Sequence, residues 1–312
     1  MVTTRSKAKA KAEPREETAQ SSAARASSQP QHPSKQANTS RKRKPTPPSK
    51  DSSASIPAAN RAKKRKDSAA SDKHQHTNTT PAPPPSPPSP LSSKIDSLIT
   101  ASGVAVATLP FHDLLPSPSQ PTSTTILALL FHALLSSTRI SHDIAAHAVR
   151  LLVGAGYADL PTLRASTWQR RTELLTDAGY THYREKTATA LGDMAALVDE
   201  RYGGDASGLL RLDDDDDLPA TEVQKMLRRR LKEVKGLGDV GADIFIAGVQ
   251  GVWPRAAPFL DRRSAKTAEE VGLGGGVEAL FEGVGRDAGK MARLNAALTT
   301  VRLEKRVGEF KG

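Results

Sequence analysis

The chain has no cysteine among its 312 residues. That excludes a disulfide framework, a thiolate zinc site, an iron–sulfur cluster and a cysteine nucleophile. Aromatic residues are scarce, with 2 Trp, 4 Tyr and 6 Phe in all, and none precedes Phe111. Long apolar runs are missing too. The longest, residues 126–135, is interrupted by His132 and is about half the roughly 20 residues a membrane span needs, so no membrane association is expected. The opening MVTTRSKAKA has no apolar stretch, which argues against secretion, and Glu13, Glu16 and Glu17 with the prolines argue against a mitochondrial presequence.

Basic residues, in contrast, are abundant and localised. Lys and Arg number 45 against 34 Asp and Glu. Residues 1–92 hold 18 basic and 6 acidic side chains, a net of +12, whereas the other 220 residues carry 27 and 28, a net of −1. The same segment has 14 of the 22 prolines and no aromatic residue, so it cannot bury a core and reads as a disordered basic tail. Two clusters stand out in it: Arg41, Lys42, Arg43 and Lys44, then Arg61 with Lys63, Lys64, Arg65 and Lys66. They suit the groove of a nuclear import receptor, hence a nuclear location; a charge-repelled linker is the competing reading. Residues 81–90, PAPPPSPPSP, favour extended polyproline II. The ordered domain is expected over residues 93–312.

There the apolar periodicity is helical. Ile95, Leu98 and Ile99 mark a short helix, and residues 124–135 a buried central one. Ser141 is a good N-cap for a helix running to about Val153, and residues 167–178 form another before Gly179. Tyr183, Thr187, Ala190, Leu191, Met194, Val198 and Tyr202 recur at helical steps before Gly203. Further helices are expected at about 220–234, 240–252, 264–271, 277–282 and 287–305, with irregular connections near 104–106 and 111–118. No strand pattern and no repeat is evident, so the fold class is all-α. Trp168 and Trp253, each beside an apolar helical pattern, read as core or lobe-interface residues. The aspartates at 213–217 lack the Gly and Glu of a calcium loop and read as a solvated insertion.

The most informative stretch is VKGLGDVGADIFI, residues 234–246. A helix rich in Lys and Arg meets a Gly-x-Gly turn and a second, apolar helix beginning at about Asp239. Gly236 and Gly238 would let backbone N–H groups approach a phosphate, aided by the positive end of that helix. Val234, Leu237, Ala242 and Phe245 would form the seam between the helices. Such a layout grips a nucleic-acid backbone without reading bases, although a tight turn between helices gives the same pattern. Lys235, with Arg228, Arg229, Arg230 and Lys232, is placed either to contact phosphates or to form a solvated face. His142 and Asp143 read as exposed first-turn residues, with a general base as the alternative.

These residues resemble the helix-hairpin-helix Gly/Pro-Asp (HhH-GPD) DNA glycosylases of the endonuclease III superfamily, whose hairpin typically reads LPGVGRKTANVVL. LALLFHALLSSTRIS (residues 127–141) is similar to the family's LLxxxLLSxQxTD segment, and GYTHYREKTATALGDMA (179–195) to its GLYNSKAENI helix. APFLDRRSAKTAEEVG (257–272) stands where the family has VDTHxxR. The likeness spans about residues 123–306 with the order of four motifs kept. It implies a two-lobed helical fold that bends double-stranded DNA, extrudes a damaged or mismatched base and cleaves its glycosidic bond in base-excision repair. On this resemblance Asp261 is the carboxylate that stabilises oxocarbenium character at the sugar, and Lys235, Gly236, Leu237, Gly238, Val240 and Gly241 face the DNA backbone.

The departures are informative. The lysine that forms a Schiff base in bifunctional members is replaced by Val240, so no lyase chemistry is expected there and the resemblance implies a monofunctional N-glycosylase using Asp261 and water. With no cysteines there is no iron–sulfur cluster; no cofactor or metal is expected, save that the hairpin leaves room for a monovalent cation. The glutamine that fills the void left by a flipped base matches Thr138, a much smaller side chain, so Arg139 beside it is the alternative residue to enter the duplex. Asp261 also precedes a predicted helix, where Asp is a favoured N-cap. A monomeric DNA-repair enzyme is therefore expected; the alternatives are an inactive DNA-binding module of the same fold and a nuclear scaffold protein.

Overall fold

The computed structural model describes residues 89–103, 109–212 and 217–311. Residues 1–88 of the basic tail with its two clusters, Val104 and Val106, and aspartates 213–216 lie outside the described residues. Those described form eleven α-helices, four short 3₁₀ turns and no strand, an all-α fold. The helices are α1 Pro90–Ala101, α2 Ser123–Ser136, α3 His142–Gly154, α4 Leu160–Ala165, α5 Trp168–Asp177, α6 Arg184–Tyr202, α7 Ala220–Leu231, α8 Asp239–Val249, α9 Arg262–Glu270, α10 Gly276–Gly283 and α11 Ala288–Leu303.

Two hydrophobic cores divide them into two lobes. The larger is built around α2, whose residues 126–131 are fully buried because α3, α6 and α8 all pack on it. The smaller joins Ile95, Leu98 and Ile99 of α1 to Ala268, Leu280, Met291, Leu294 and Leu298 near the other end of the chain. The described chain thus begins in the small lobe with α1, builds the large one and returns after α8. At the junction α8 and α11 approach closely, and a Cβ on Gly251 would stand 3.1 Å from that of Ala292.

Local signals set most helix limits. Thr122, Ser141, Thr167 and Asp287 each accept a hydrogen bond from a first-turn amide of α2, α3, α5 and α11, as favoured N-caps do. Three features differ from the sequence reading. Pro90 is not part of an extended segment: it opens α1, capped by the Ser89 hydroxyl, because a proline's missing N–H costs nothing at a helix start. Helix α4 was not expected, since six residues cannot show a 3.6-residue periodicity; its signal is Asp159, which caps Thr162. Trp168 is no core residue. It is 46% exposed at the start of α5, and its indole N–H donates to Thr189 Oγ1 at 3.1 Å. Trp253 packs on the large core.

Candidate nucleic-acid interface and active site

Residues 232–238 connect α7 to α8 in a tight hairpin. Val234, Leu237, Ala242 and Phe245 are all buried and form its seam. The two glycines in the turn have different jobs. Gly236 has φ +92°, and a Cβ there would come within 2.9 Å of Leu134 Cδ1; it is a glycine for backbone reasons. Gly238, the N-cap of α8, is extended at φ −105°, ψ −163° and a Cβ would meet nothing within 4 Å. No side chain caps α8. The amides of Asp239, Val240 and Gly241 therefore lack the acceptors that most helix starts find.

The hairpin rests on the end of α2. A Cβ on Gly241 would lie 3.5 Å from both Ala133 O and Ser137 Cβ, which places the turn after α2 beside the α8 N-terminus. That turn carries Thr138 and Arg139. The Thr138 hydroxyl is 2.7 Å from Tyr180 Oη and donates to Leu135 O, so it faces inward, while Arg139 is exposed. Leu237 contributes packing: its side chain is buried and its amide already donates to Val234 O. Val240, 47% exposed, presents an aliphatic surface beside the free amides.

The basic run is largely engaged by the protein itself. Arg228 pairs with Asp243, Lys232 with Asp239 at 2.5 Å and Lys235 with Asp193 at 3.2 Å. Arg230 donates to the carbonyls of Leu209 and Arg211. The hydrogen bond from Lys232 holds the Asp239 carboxyl below its ordinary value. His142 and Asp143 are exposed in the first turn of α3.

Asp261 is delivered to the junction of the lobes by a segment that two glutamines hold. Gln250, fully buried, accepts from Phe259 N at 2.9 Å and donates to Phe259 O at 3.0 Å. Gln224 donates to the carbonyls of Ala256 and Pro258, both at 2.9 Å. Phe259 then buries in the large core and Leu260 in the small one. Asp261 follows, with its amide donating to Asn295 Oδ1 of α11. Its Oδ1 accepts from the amides of Arg263 and Ser264, and its Oδ2 from the Ser264 hydroxyl, which also contacts Thr299 Oγ1 at 3.1 Å. Asp261 thus caps α9 and remains partly exposed. A carboxylate so held is an oriented negative charge with lone pairs left over, able to face a developing cation. Sequence reasoning missed Gln224, Gln250, Asn295 and Thr299. Gln250 had one usable signal, an amide in an otherwise apolar stretch, because a buried amide needs partners.

No family model matches the chain and no curated protein matches it. Among solved structures, the 3-methyladenine DNA glycosylase of H. pylori, bound to 1,N6-ethenoadenine, is similar with 13% sequence identity and a TM-score of 0.40, over 69% of this chain and 98% of that one.

Proposed function

We propose that this chain is a DNA-binding protein of base-excision repair that removes a damaged or mismatched base as a monofunctional N-glycosylase. One observation carries the reading: the same molecule has a hairpin with uncapped amides at the start of α8 and, at the junction of its two lobes, an oriented carboxylate on Asp261. The amides suit phosphate oxygens of double-stranded DNA. A base drawn out of the stack would bring its sugar to Asp261.

The chemistry asked of Asp261 is electrostatic. As the glycosidic bond breaks, its electron pair leaves with the base, C1′ and the ring oxygen share positive charge, and the carboxylate stabilises that charge. Water then adds to C1′ and loses a proton, leaving an abasic site. Val240 has no amine, so the sugar is not captured as a Schiff base and the strand stays intact. Import into the nucleus through the two tail clusters, and action as a monomer, belong to the same proposal.

A second reading has its own support. All three hydrogen bonds to the Asp261 carboxylate are those of a helix cap, which suits a DNA-binding module without chemistry. A single-turnover assay on duplexes that each carry one lesion separates the two. Strand breaks that appear only after hot alkali, and are lost in Asp261→Asn, are the expected result. Binding without any processing across a broad lesion panel would leave the module.

A further inference from the structure

The arginines around Asp261 differ from those of the hairpin. Arg228, Lys232 and Lys235 each face a carboxylate. Arg263 and Arg302 have neither an ion pair nor a side-chain hydrogen bond among the described residues. Arg302 also continues a stripe already in use. Asn295, Thr299 and Arg302 follow at steps of four and three on α11, so they leave one side of the helix. Asn295 holds the Asp261 amide and Thr299 contacts the Ser264 hydroxyl; Arg302 comes next.

Its Nε is shut off from solvent with no partner. Burial lowers its pKa from the ordinary arginine value, the Asp261 charge opposes that, and the Arg263 charge adds to it. Arg263, whose amide donates to the Asp261 carboxylate, and Arg302, one turn beyond the Thr299 that contacts Ser264, border the same cap. The Asp261 carboxylate accepts from two amides and a hydroxyl and pairs with neither guanidinium among the described residues. Donors and positive charge are in excess there, and a guanidinium fork matches the oxygens of a phosphate.

We propose that Arg263 and Arg302 form a clamp for one backbone phosphate of a DNA strand, next to the nucleotide whose sugar faces Asp261. The clamp rests on the DNA-binding half of the function proposed above and is independent of its chemistry. It supplies a phosphate contact in a domain whose hairpin cations are mostly neutralised within the protein. Moving the Arg302 Nε from its sealed position onto a phosphate oxygen also removes an orphaned donor.

The test uses the full chain and a duplex with a stable tetrahydrofuran abasic analogue, titrated by fluorescence anisotropy across a salt series. Arg302→Gln and Arg263→Gln are compared with Arg170→Gln, an exposed arginine of α5. Each clamp variant should weaken binding about tenfold and lower the salt slope by roughly 1. A single neutral methylphosphonate is then walked through the phosphates flanking the analogue. At one position the wild-type protein should lose the same factor, and Arg302→Gln should lose nothing more. Thermal unfolding should not show a loss in Arg302→Gln, which discards the orphaned Nε.

Unchanged binding by Arg302→Gln, or losses that add at every methylphosphonate position, would overturn the clamp. Unchanged binding with slower base release would assign Arg302 to the departing base instead and equally end the proposal. A wild-type protein that ignores the duplex would overturn clamp and DNA binding together. Normal clamp behaviour with no lesion processed would remove only the glycosylase reading.

Discussion

Gly238→Ser sets the stability of α8 against the proposed use of its amides. Serine can adopt φ −105°, ψ −163°, and the space beyond the glycine is open to 4 Å, so its hydroxyl can cap the first turn that nothing now caps. Serine exceeds glycine at an N-cap by a few tenths of a kcal/mol, about 0.5. In a domain of this size that is a rise in Tm of roughly 1–2 °C. If a phosphate sits on those amides, the hydroxyl competes with it. A hydrogen bond to a charged acceptor is worth about 1.5–3 kcal/mol, so affinity should fall roughly 10- to 100-fold.

Gly236→Ala provides the contrast. With φ +92° and Leu134 Cδ1 2.9 Å from the added methyl, it should destabilise by about 1–3 kcal/mol, a drop of roughly 2–12 °C. Thermal unfolding and anisotropy on one duplex at fixed salt measure both variants. A Gly238→Ser protein that melts no lower and binds DNA within about twofold of wild type would refute the phosphate assignment, because blocked amides would then have made no difference.

Other consequences follow from single sites. Asp261→Asn keeps an N-cap acceptor and should change stability by only a few tenths of a kcal/mol, whereas Asp261→Ala should cost about 1; both should lower single-turnover base release by about 100-fold or more if the charge is what matters, and an active Asp261→Asn would reduce the residue to a cap. His132 is held neutral by burial, with its pKa lowered to about 4, and the nearby His142 adds to the shift. The unfolded chain takes up a proton below pH about 6.5 and the folded one does not, so stability should fall from pH about 6.5 to about 4 by at most about 3 kcal/mol. Part of the residue is exposed, which trims that figure, and urea melts at several pH values should show the fall flattened in His132→Leu. Removing residues 1–92, which carry +12, should weaken DNA binding and flatten its salt dependence; equal slopes for both forms would show that the tail does not touch DNA.

Much of the fold was legible because its signals are local. The apolar run of α2, the Ser141 cap and the three- and four-residue steps of α6 each report on neighbours along one helix. The hairpin was legible for the same reason: its glycines and its buried seam lie within residues 234–245. Helix α4 is too short to repeat, and its Asp159 cap gives no periodic pattern. The partners of Asp261 were out of reach for another reason. Asn295 and Thr299 lie 34 and 38 positions further on, and only the return of the chain from the large lobe to the small one brings them to α9.

Charge is where sequence and structure diverge most, and the divergence has a physical cause. Along the chain, Arg228 to Lys235 is the densest basic run of the domain, so it looks like the surface for phosphates. In the structure Asp193, Asp239 and Asp243 come from α6 and α8 to neutralise three of its members. These pairs are partly to largely exposed, and exposed pairs contribute only about 0–1 kcal/mol each. An approaching phosphate could therefore displace Asp239 from Lys232 at modest cost. The cost still sets an order among sites: a cation with no partner binds first, because nothing has to be given up. Arg139, Arg263 and Arg302 meet that condition among the described residues and come from the turn after α2, from α9 and from α11; within the basic run itself only the exposed Arg229 joins them. A basic run thus marks where positive charge is made, while the fold decides which of those charges remain available to a ligand.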